Sequence, residues 1–126
     1  MSNLPDLYEC TICIIGLGYV GLPLAIEFGT PQSNKIKGKF LNRKVIGFDI
    51  KKERVAEINL GKDLTNEVDR VDILKADFFE ATTDEHRLIE ADVFIVTVPT
   101  PVDEQNKPDL SFLKNASLLV GKTLEK

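Results

Sequence analysis

The stretch of the chain that decides the fold is residues 11–21, which read TICIIGLGYVG. Residues 10–15 are apolar and mostly β-branched, and therefore predict a buried strand. The glycines that follow, Gly16, Gly18 and Gly21, have the spacing G-x-G-x-x-G. This spacing alone is weak evidence, but here it follows a strand and opens a helix, which is the context of a dinucleotide-binding loop.

The three glycines have different expected roles. Gly16 permits a tight turn, Gly18 lets the backbone approach a pyrophosphate, and Gly21 lets the helix pack closely on the strand. The N–H groups of Tyr19 and Val20, at the start of the helix, would bind the phosphates with the help of the helix dipole. A turn of glycines without a ligand is the simpler alternative.

Strands and helices alternate along the rest of the chain. Hydrophobic patterns predict further strands at 44–50, 78–82 and 92–98, and helices at 22–28, 52–60, 84–91 and from 109 onward. Residues 63–76 are ambiguous, with a short helix at 67–74, and residues 30–43 are interpreted as a loop or a short extension of the first helix. This alternation predicts an α/β fold of the Rossmann type, a doubly wound parallel sheet with helices on both faces.

Two of the predicted helices have apolar faces that should pack on the sheet. In the helix at 52–60 the inward residues are Val55, Ile58 and Leu60, and Gly61 is the expected stop signal. The last helix is expected to begin with Asp109 as its N-cap. Its apolar stripe comprises Phe112, Leu113, Ala116, Leu119 and Val120.

The second strand ends on an acidic residue, Asp49. In dinucleotide-binding folds a carboxylate here binds the adenosine ribose. Asp49 lies 28 residues after Gly21, more than the usual spacing of about 20, and an insertion at 30–43 accounts for the excess. Its charge would repel a 2′-phosphate, so NAD is favoured over NADP, although Arg54 and Lys51 could accept that phosphate.

A third candidate feature is the TVPTP sequence at residues 97–101, where the strand at 92–98 ends. Ligands of open α/β sheets bind at the carboxyl ends of strands, so Pro99 and Thr100 are candidate cofactor contacts. The alternative is that Pro99 and Pro101 only terminate the strand.

Length and charge exclude several classes of protein. The chain has 126 residues and a formal net charge of −4, which suits a single domain over residues 1–126. Negative charge argues against a nucleic-acid partner, because neutralising phosphates needs a basic face. No stretch approaches the roughly 18–20 apolar residues of a membrane span. Residues 1–9 lack a signal-peptide pattern, so we expect a cytoplasmic protein without a membrane partner.

The two cysteines form a C-x-x-C pattern, Cys10 and Cys13, which in some proteins is a redox pair. Here the pattern lies in a predicted strand, where an odd separation directs side chains to opposite faces. We therefore interpret both as small buried hydrophobic residues. With His86 as the single histidine, we expect no metal site.

Four motifs together resemble the UDP-glucose/GDP-mannose dehydrogenase family. They are GLGYVGLP at 16–23, GFDI at 47–50, VTVPTP at 96–101 and PDLS at 108–111, in the family's order. The chain is thus similar to the N-terminal NAD-binding domain of these nucleotide-sugar 6-dehydrogenases. The sequence around 100–103 is most similar to members that oxidise UDP-N-acetylglucosamine or UDP-N-acetylgalactosamine.

The resemblance implies oxidation of the C6 hydroxyl of a UDP-hexose or UDP-N-acetylhexosamine to a carboxylate, with two NAD, for polysaccharide biosynthesis. In such enzymes a cysteine thiolate holds the intermediate, first as a thiohemiacetal and then as a thioester. The glycine loop with Val20 would bind the pyrophosphate and Asp49 the adenosine ribose. Arg54 would lie by the adenosine, and Thr100 would contact the cofactor. The full-length enzyme would take the UDP-sugar as substrate and form a homodimer.

The family's catalytic cysteine stands in a Gly-Gly-Ser-Cys-type segment that is absent from this sequence. Cys10 and Cys13 lack that context, so we assign no catalytic residue. We expect residues 1–126 to be the N-terminal part of a longer enzyme, without its central and C-terminal substrate domains, and to be inactive alone. Two alternatives are a non-enzymatic Rossmann module that senses NAD or another nucleotide, and a methyltransferase that uses S-adenosylmethionine.

Overall fold

The computed structural model describes residues 4–33, 40–41 and 43–125. Six strands, four α-helices and one 3₁₀ helix follow each other within these residues. The elements are β1 (Ile12–Ile15), α1 (Gly21–Gly29), β2 (Gln32–Ser33), β3 (Phe40–Leu41), β4 (Val45–Phe48), α2 (Lys52–Asn59), α3 (Arg70–Lys75), β5 (Phe79–Thr82), the 3₁₀ helix (Glu85–Glu90), β6 (Val93–Val96) and α4 (Ser111–Leu124).

The main sheet has four parallel strands in the order β5-β4-β1-β6. Strand β1 pairs with β4 on one side, Ile12 opposite Val45, and with β6 on the other, Ile12 opposite Val93. Every residue of β1 and β4 is buried. Parallel strands need crossover connections, and those connections cover both faces of this sheet. The predicted Rossmann-type doubly wound fold is therefore confirmed.

The core consists of two apolar clusters, one on each face of the sheet. One contains Ile12, Ile14 and Leu17 with the buried side of α1, and the other contains Ile15 and residues from the 3₁₀ helix and α4. Cys10 belongs to the first cluster and Cys13 to the second, and both thiols are free. The predicted placement of the two cysteines on opposite faces is confirmed.

Within residues 30–43 the predicted extension of the first helix is wrong, and the predicted loop contains two short strands. Helix α1 ends at Gly29, and Thr30 is extended with ψ 130°, because a residue that precedes a proline disfavours helical geometry. Strands β2 and β3 then form an antiparallel pair, with Gln32 opposite Leu41. Two residues per strand are too few for a period-2 pattern, so this pair left no signal in the sequence. Residues 34–39 and 42 lie outside the described residues.

Helix α2 ends at its predicted stop signal, but one of the three residues predicted to face inward does not. Gly61 has φ +75°, and the N–H groups of Gly61 and Lys62 donate to the carbonyls of Ile58 and Glu57. This is a Schellman motif, which requires the left-handed conformation that glycine adopts readily. Leu60 lies at the turn and is 62% exposed rather than buried.

The last helix also departs from the prediction in two respects. Leu110 is the N-cap, and Asp109, one residue earlier, accepts a hydrogen bond from the N–H of Ser111 at 3.0 Å. The carboxylate thus accepts one backbone N–H of the first turn without occupying the N-cap position. Ala116 is buried, but Leu113 is 39% exposed and does not belong to the packed stripe.

The helix predicted at 67–74 begins later, at Arg70. Residues 63–68 form a turn instead, in which Asn66 has φ +57°. The carboxylate of Asp63 accepts the N–H groups of Thr65, Glu67 and Val68. Such local side-chain acceptors compete with helix formation, which explains the delayed start.

Within the described part of the chain, no helix has the length and apolar character needed to cross a bilayer. The same residues contain no group of three or more His, Cys, Asp or Glu side chains that could hold a metal ion.

Candidate cofactor-binding site

The candidate site lies where the strand order reverses direction. From β1 the chain crosses to β4 on one side and later reaches β6 on the other, so the carboxyl ends of β1 and β6 border a crevice. Such switch points are the usual ligand sites of open parallel sheets. The glycine loop follows β1 and the TVPTP sequence follows β6, which brings these two motifs together at the crevice.

Two of the three glycines have structural roles. Gly16 has φ +99°, and a Cβ there would lie 3.0 Å from the carbonyl oxygen of Thr97. A Cβ on Gly21 would overlap the carbonyl oxygen of Gly16 and the hydroxyl of Thr97. Gly16 therefore serves the turn and Gly21 serves the close approach of α1 to the loop.

Gly18 differs from both, because the space beside it is open. A Cβ on Gly18 would meet no atom within 4 Å, and its φ is not positive. The protein itself therefore gives no steric reason for a glycine at this position. The neighbouring helix α1 has no side-chain cap and no acidic residue in its first turn. Its N–H groups and positive dipole end form an environment suited to an anion.

Thr97 fixes the glycine loop, a role that we did not assign from the sequence. Its hydroxyl donates to the carbonyl oxygen of Gly16 at 2.7 Å, and its N–H donates to Ile15 at 2.8 Å. These bonds hold the end of β6 against the turn after β1. The one available sequence signal was the hydroxyl residue that closes the strand in the TVPTP motif.

Asp49 connects the end of β4 to the glycine loop. One carboxylate oxygen accepts the N–H of Leu17 at 2.9 Å, and the other accepts the N–H of Lys51 at 2.9 Å. An ionised carboxylate has about four acceptor positions, so each oxygen can accept a further hydrogen bond. Asp49 is half-buried at the crevice, which suits the recognition of neighbouring hydroxyl groups.

Arg54 is a buried cation, 8% exposed, that joins α2 to the same loop. Its Nε donates to the carbonyl oxygen of Leu17 at 2.5 Å. Its Nη1 donates to Glu57 at 3.1 Å and to Asp63 at 2.9 Å. Its Nη2 is buried and has no hydrogen-bond partner among the described residues. A buried donor without an acceptor is costly, so this atom suits a ligand oxygen.

Asp63 carries the buried charge that faces Arg54. Burial raises the pKa of Asp63, whereas hydrogen bonds from the Thr65 hydroxyl and the Arg54 guanidinium lower it. Backbone N–H groups of Thr65 and Val68 lower it further, and the pKa lies well below its ordinary value of 3.8. Asp63 therefore stays ionised in the folded chain at neutral pH.

The lowered pKa predicts how Asp63 contributes to stability in acid. Its contribution is present above pH 3.8, the ordinary value, and is lost as the pH falls toward the lower folded-state pKa. At pH 7 we expect Asp63→Asn to unfold at lower urea concentration than the wild type. Urea titrations at successively lower pH should bring the two curves together below about pH 4. A gap that is constant from pH 7 to pH 2 would contradict the ionised carboxylate.

One cavity of about 530 Å³ joins these groups. This volume falls within the range of about 300–1,000 Å³ for small-molecule sites. The cavity is lined by apolar side chains and a few polar ones, which include Ile15, Leu17, Phe48, Ile50, Leu64, Val98, Phe112 and Leu119 beside Glu53, Thr65 and Asn115. Its apolar walls suit a flat ring, and α2 contributes three of its charged lining residues, Glu53, Arg54 and Glu57.

Five of the nine predicted cofactor contacts line this cavity. They are Gly16, Gly18, Asp49, Arg54 and Pro99. The other four are not among its lining residues. Of these, Tyr19 and Val20 are exposed at the start of α1, Gly21 is packed beneath the loop, and Thr100 is exposed after Pro99.

The cysteines are unsuited to a nucleophilic role. Both are buried, and burial raises the pKa of the Cys13 thiol to about 12. The thiolate is the reactive form of cysteine, and at Cys13 it is disfavoured at neutral pH. Neither cysteine lines the cavity.

Comparison with known proteins agrees with the resemblance of the sequence motifs. The model of the UDP-glucose/GDP-mannose dehydrogenase family, NAD binding domain, matches residues 10–126. A UDP-N-acetyl-D-glucosamine 6-dehydrogenase of Pseudomonas aeruginosa is 45% identical over 118 residues, 94% of this chain and 25% of that protein. Protein CapL of Staphylococcus aureus is 46% identical over 113 residues, 90% of this chain and 24% of that protein.

Solved structures give the same result. A UDP-D-ManNAc dehydrogenase from Pyrococcus horikoshii superposes with a TM-score of 0.72 and 33% identity, over 90% of this chain and 25% of that one. The chain thus spans about a quarter of the length of the relatives that it matches. Because the family model covers almost every residue, the chain belongs to the UDP-glucose/GDP-mannose dehydrogenase family and has that family's NAD-binding domain.

Proposed function

We propose that this chain binds NAD in the crevice at the ends of β1 and β6, as the cofactor domain of a nucleotide-sugar 6-dehydrogenase. The observation that carries the proposal is a single cavity lined by Gly18, Asp49 and Arg54 beside the start of α1. These groups fit the parts of the cofactor. Gly18, which has no Cβ, leaves room for a pyrophosphate, and the carboxylate of Asp49 suits ribose hydroxyls. The apolar walls of the cavity suit an adenine ring.

The pyrophosphate would lie over Gly18 and accept the N–H groups of Tyr19 and Val20. Open space beside Gly18 supports this position, because no protein atom fills it. Gly16 and Gly21 would act indirectly, by giving the loop and α1 their close contact. Pro99 and Thr100, which follow β6, would contact the cofactor from the opposite side of the crevice.

The adenosine ribose would bind to Asp49, and Arg54 would lie beside it. The free acceptor positions of Asp49 and the buried Nη2 of Arg54 support this arrangement. A 2′-phosphate would meet the charge of Asp49, whereas Arg54 is already paired with Glu57 and Asp63. NAD would therefore bind in preference to NADP.

When bound, NAD supplies the hydride acceptor for oxidation of an alcohol. For the full-length enzyme we propose a UDP-N-acetylhexosamine substrate, whose C6 alcohol transfers two hydrides to two NAD and takes its second carboxylate oxygen from one water. The names of the Pseudomonas aeruginosa and Pyrococcus horikoshii relatives support this substrate class. We also propose a homodimeric, cytoplasmic enzyme of polysaccharide biosynthesis.

The catalytic cysteine would belong to another domain, because the two cysteines of this chain are buried. The chain alone should therefore produce no NADH when mixed with NAD and any UDP-sugar. Absorbance of the nicotinamide product measures this directly, and steady NADH formation would contradict the assignment.

Calorimetric titration of the chain with NAD tests the cofactor site. We expect Asp49→Ala to weaken NAD binding by about tenfold or more, because it removes a charged acceptor of ribose hydroxyls. Asp92→Ala is the matched control. Asp92 also accepts a backbone N–H, that of Thr11 at 2.9 Å, but it precedes β6 and therefore lies at the amino ends of the strands, away from the crevice at their carboxyl ends.

The control variant should bind NAD as the wild type does. Parallel titrations with NADP and S-adenosylmethionine should give weaker binding than NAD. Equal affinity of wild type and Asp49→Ala for NAD, or preference for S-adenosylmethionine, would refute the proposed site.

A further inference from the structure

Asp63 lies outside every motif that predicts the cofactor site, yet it is connected to that site through Arg54. Its side chain is fully buried, and one oxygen accepts Arg54 Nη1 at 2.9 Å and the Thr65 hydroxyl at 2.6 Å. Arg54 in turn donates through Nε to the carbonyl oxygen of Leu17, inside the glycine loop. A chain of hydrogen bonds therefore runs from the turn at 63–68 to the loop after β1.

We propose that Asp63 is a positioning residue, which orients Arg54 for cofactor binding. The inference rests on the proposed NAD site. Guanidinium groups are planar and rigid, so two fixed nitrogen atoms determine the third. Leu17 fixes Nε and Asp63 fixes Nη1, and these two bonds therefore set the direction of Nη2, the buried nitrogen without a partner among the described residues.

Asp63 also shapes a wall of the cavity. Its two oxygens accept the N–H groups of Thr65, Glu67 and Val68 at 2.9–3.0 Å. These bonds close the turn that presents Leu64 and Thr65 to the cavity. One carboxylate thus holds both the cation and the segment beside it.

The burial of this ion pair makes its geometry important. Arg54 and Asp63 have side chains 9% and 0% exposed. Removing one partner of a buried pair leaves the other charge without compensation. Asparagine at position 63 would replace one acceptor oxygen by a donor group. Its single oxygen could accept either the bonds now made to Oδ1, which include Arg54, or those made to Oδ2 by Glu67 and Val68, but not both sets. In either orientation the charge that holds Arg54 in place is lost, so its direction is less firmly fixed.

A double-mutant cycle on NAD affinity separates positioning from folding. The test is calorimetric titration of NAD into the wild-type chain, Asp63→Asn, Arg54→Lys and the double variant, each with its melting temperature. We expect Asp63→Asn to weaken NAD binding about tenfold, as for the loss of one charge-assisted hydrogen bond. The double variant should bind NAD within about twofold of Arg54→Lys, because most of the effect of Asp63 passes through Arg54 and the turn at 63–68 accounts for the small remainder.

Two further variants distinguish a positioning role of Asp63 from a merely structural one. Asp92→Asn removes a carboxylate that binds the N–H of Thr11 at the amino ends of the strands, and it should leave NAD affinity unchanged. Asp63→Glu keeps the charge and should retain more affinity than Asp63→Asn. If Asp63→Asn does not fold, Asp63→Glu replaces it in the cycle, with a smaller loss that also disappears in the Arg54→Lys background.

Several outcomes would overturn the inference. One is unchanged NAD affinity in the Asp63 variants despite a lower melting temperature. Another is an effect of Asp63 that persists at full size beside Arg54→Lys, since it would then act independently of that residue. If the wild type binds no NAD, the proposed function fails as well. If the wild type binds NAD normally and either of the first two results is found, only the role of Asp63 is rejected and the proposed function stands.

Discussion

Replacing Gly21 by alanine is expected to lower the free energy of unfolding by about 3 kcal/mol or more, at the upper end of the cost of overpacking. The added Cβ would overlap the carbonyl oxygen of Gly16 and the hydroxyl of Thr97. A backbone oxygen cannot move aside as a flexible side chain can. Helix α1 would therefore have to shift away from the glycine loop, with loss of packing against β1 and β4. Urea unfolding followed by circular dichroism measures the loss.

Gly121→Ala is a matched control for this substitution. Gly121 lies in α4 and is exposed, and a Cβ at this position would meet no atom within 4 Å. Alanine is favoured over glycine in a helix interior by about 0.5–1 kcal/mol, so the control should be slightly more stable than the wild type. Equal stability of the Gly21 and Gly121 variants would contradict the close contact between α1 and the loop.

Gly18→Ala is expected to weaken NAD binding by roughly 10- to 100-fold while leaving the fold intact. A Cβ on Gly18 meets no protein atom within 4 Å, so the folded chain should tolerate it. It would instead occupy space that the pyrophosphate needs. An added methyl group in a close-packed site costs about 1–3 kcal/mol, and the stated range of affinity lies within the roughly 5- to 150-fold that this cost implies.

The test of this prediction needs both stability and affinity. Melting temperature should match the wild type within the small effect of an ordinary glycine-to-alanine change, and calorimetry should show the loss of NAD affinity. Gly121→Ala again serves as the control, because its surroundings are equally open and it does not line the cavity. Unchanged NAD affinity in Gly18→Ala would place the pyrophosphate elsewhere.

The main sheet was predictable because its signals are local. Strands β1 and β4 are short apolar runs directly followed by Gly16 and Asp49, and these residues have direct conformational or charge requirements. The stop at Gly61 follows the same rule, since one residue must adopt positive φ there. Where a single residue determines the local backbone, the sequence is sufficient for a prediction.

Other features depend on partners distant in the chain. Strands β2 and β3 have two residues each and exist only through pairing with each other. Thr97 acts on Gly16 across 81 positions, and no pattern along the chain marks this contact. Asp63 had one local signal, an acidic residue two before a threonine, which is typical of a side-chain turn. Its pairing with Arg54 required the folded chain.

The most direct test of the central claim is a titration of isotope-labelled chain with NAD, followed by amide chemical shifts in nuclear magnetic resonance. The site at the start of α1 predicts that the largest shifts belong to the amides of Gly18, Tyr19 and Val20. The amides of Gly61 and Gly121, which do not line the cavity, should stay nearly unchanged. Shifts that leave the glycine loop unaffected, or that concentrate on another surface, would contradict NAD binding at this crevice.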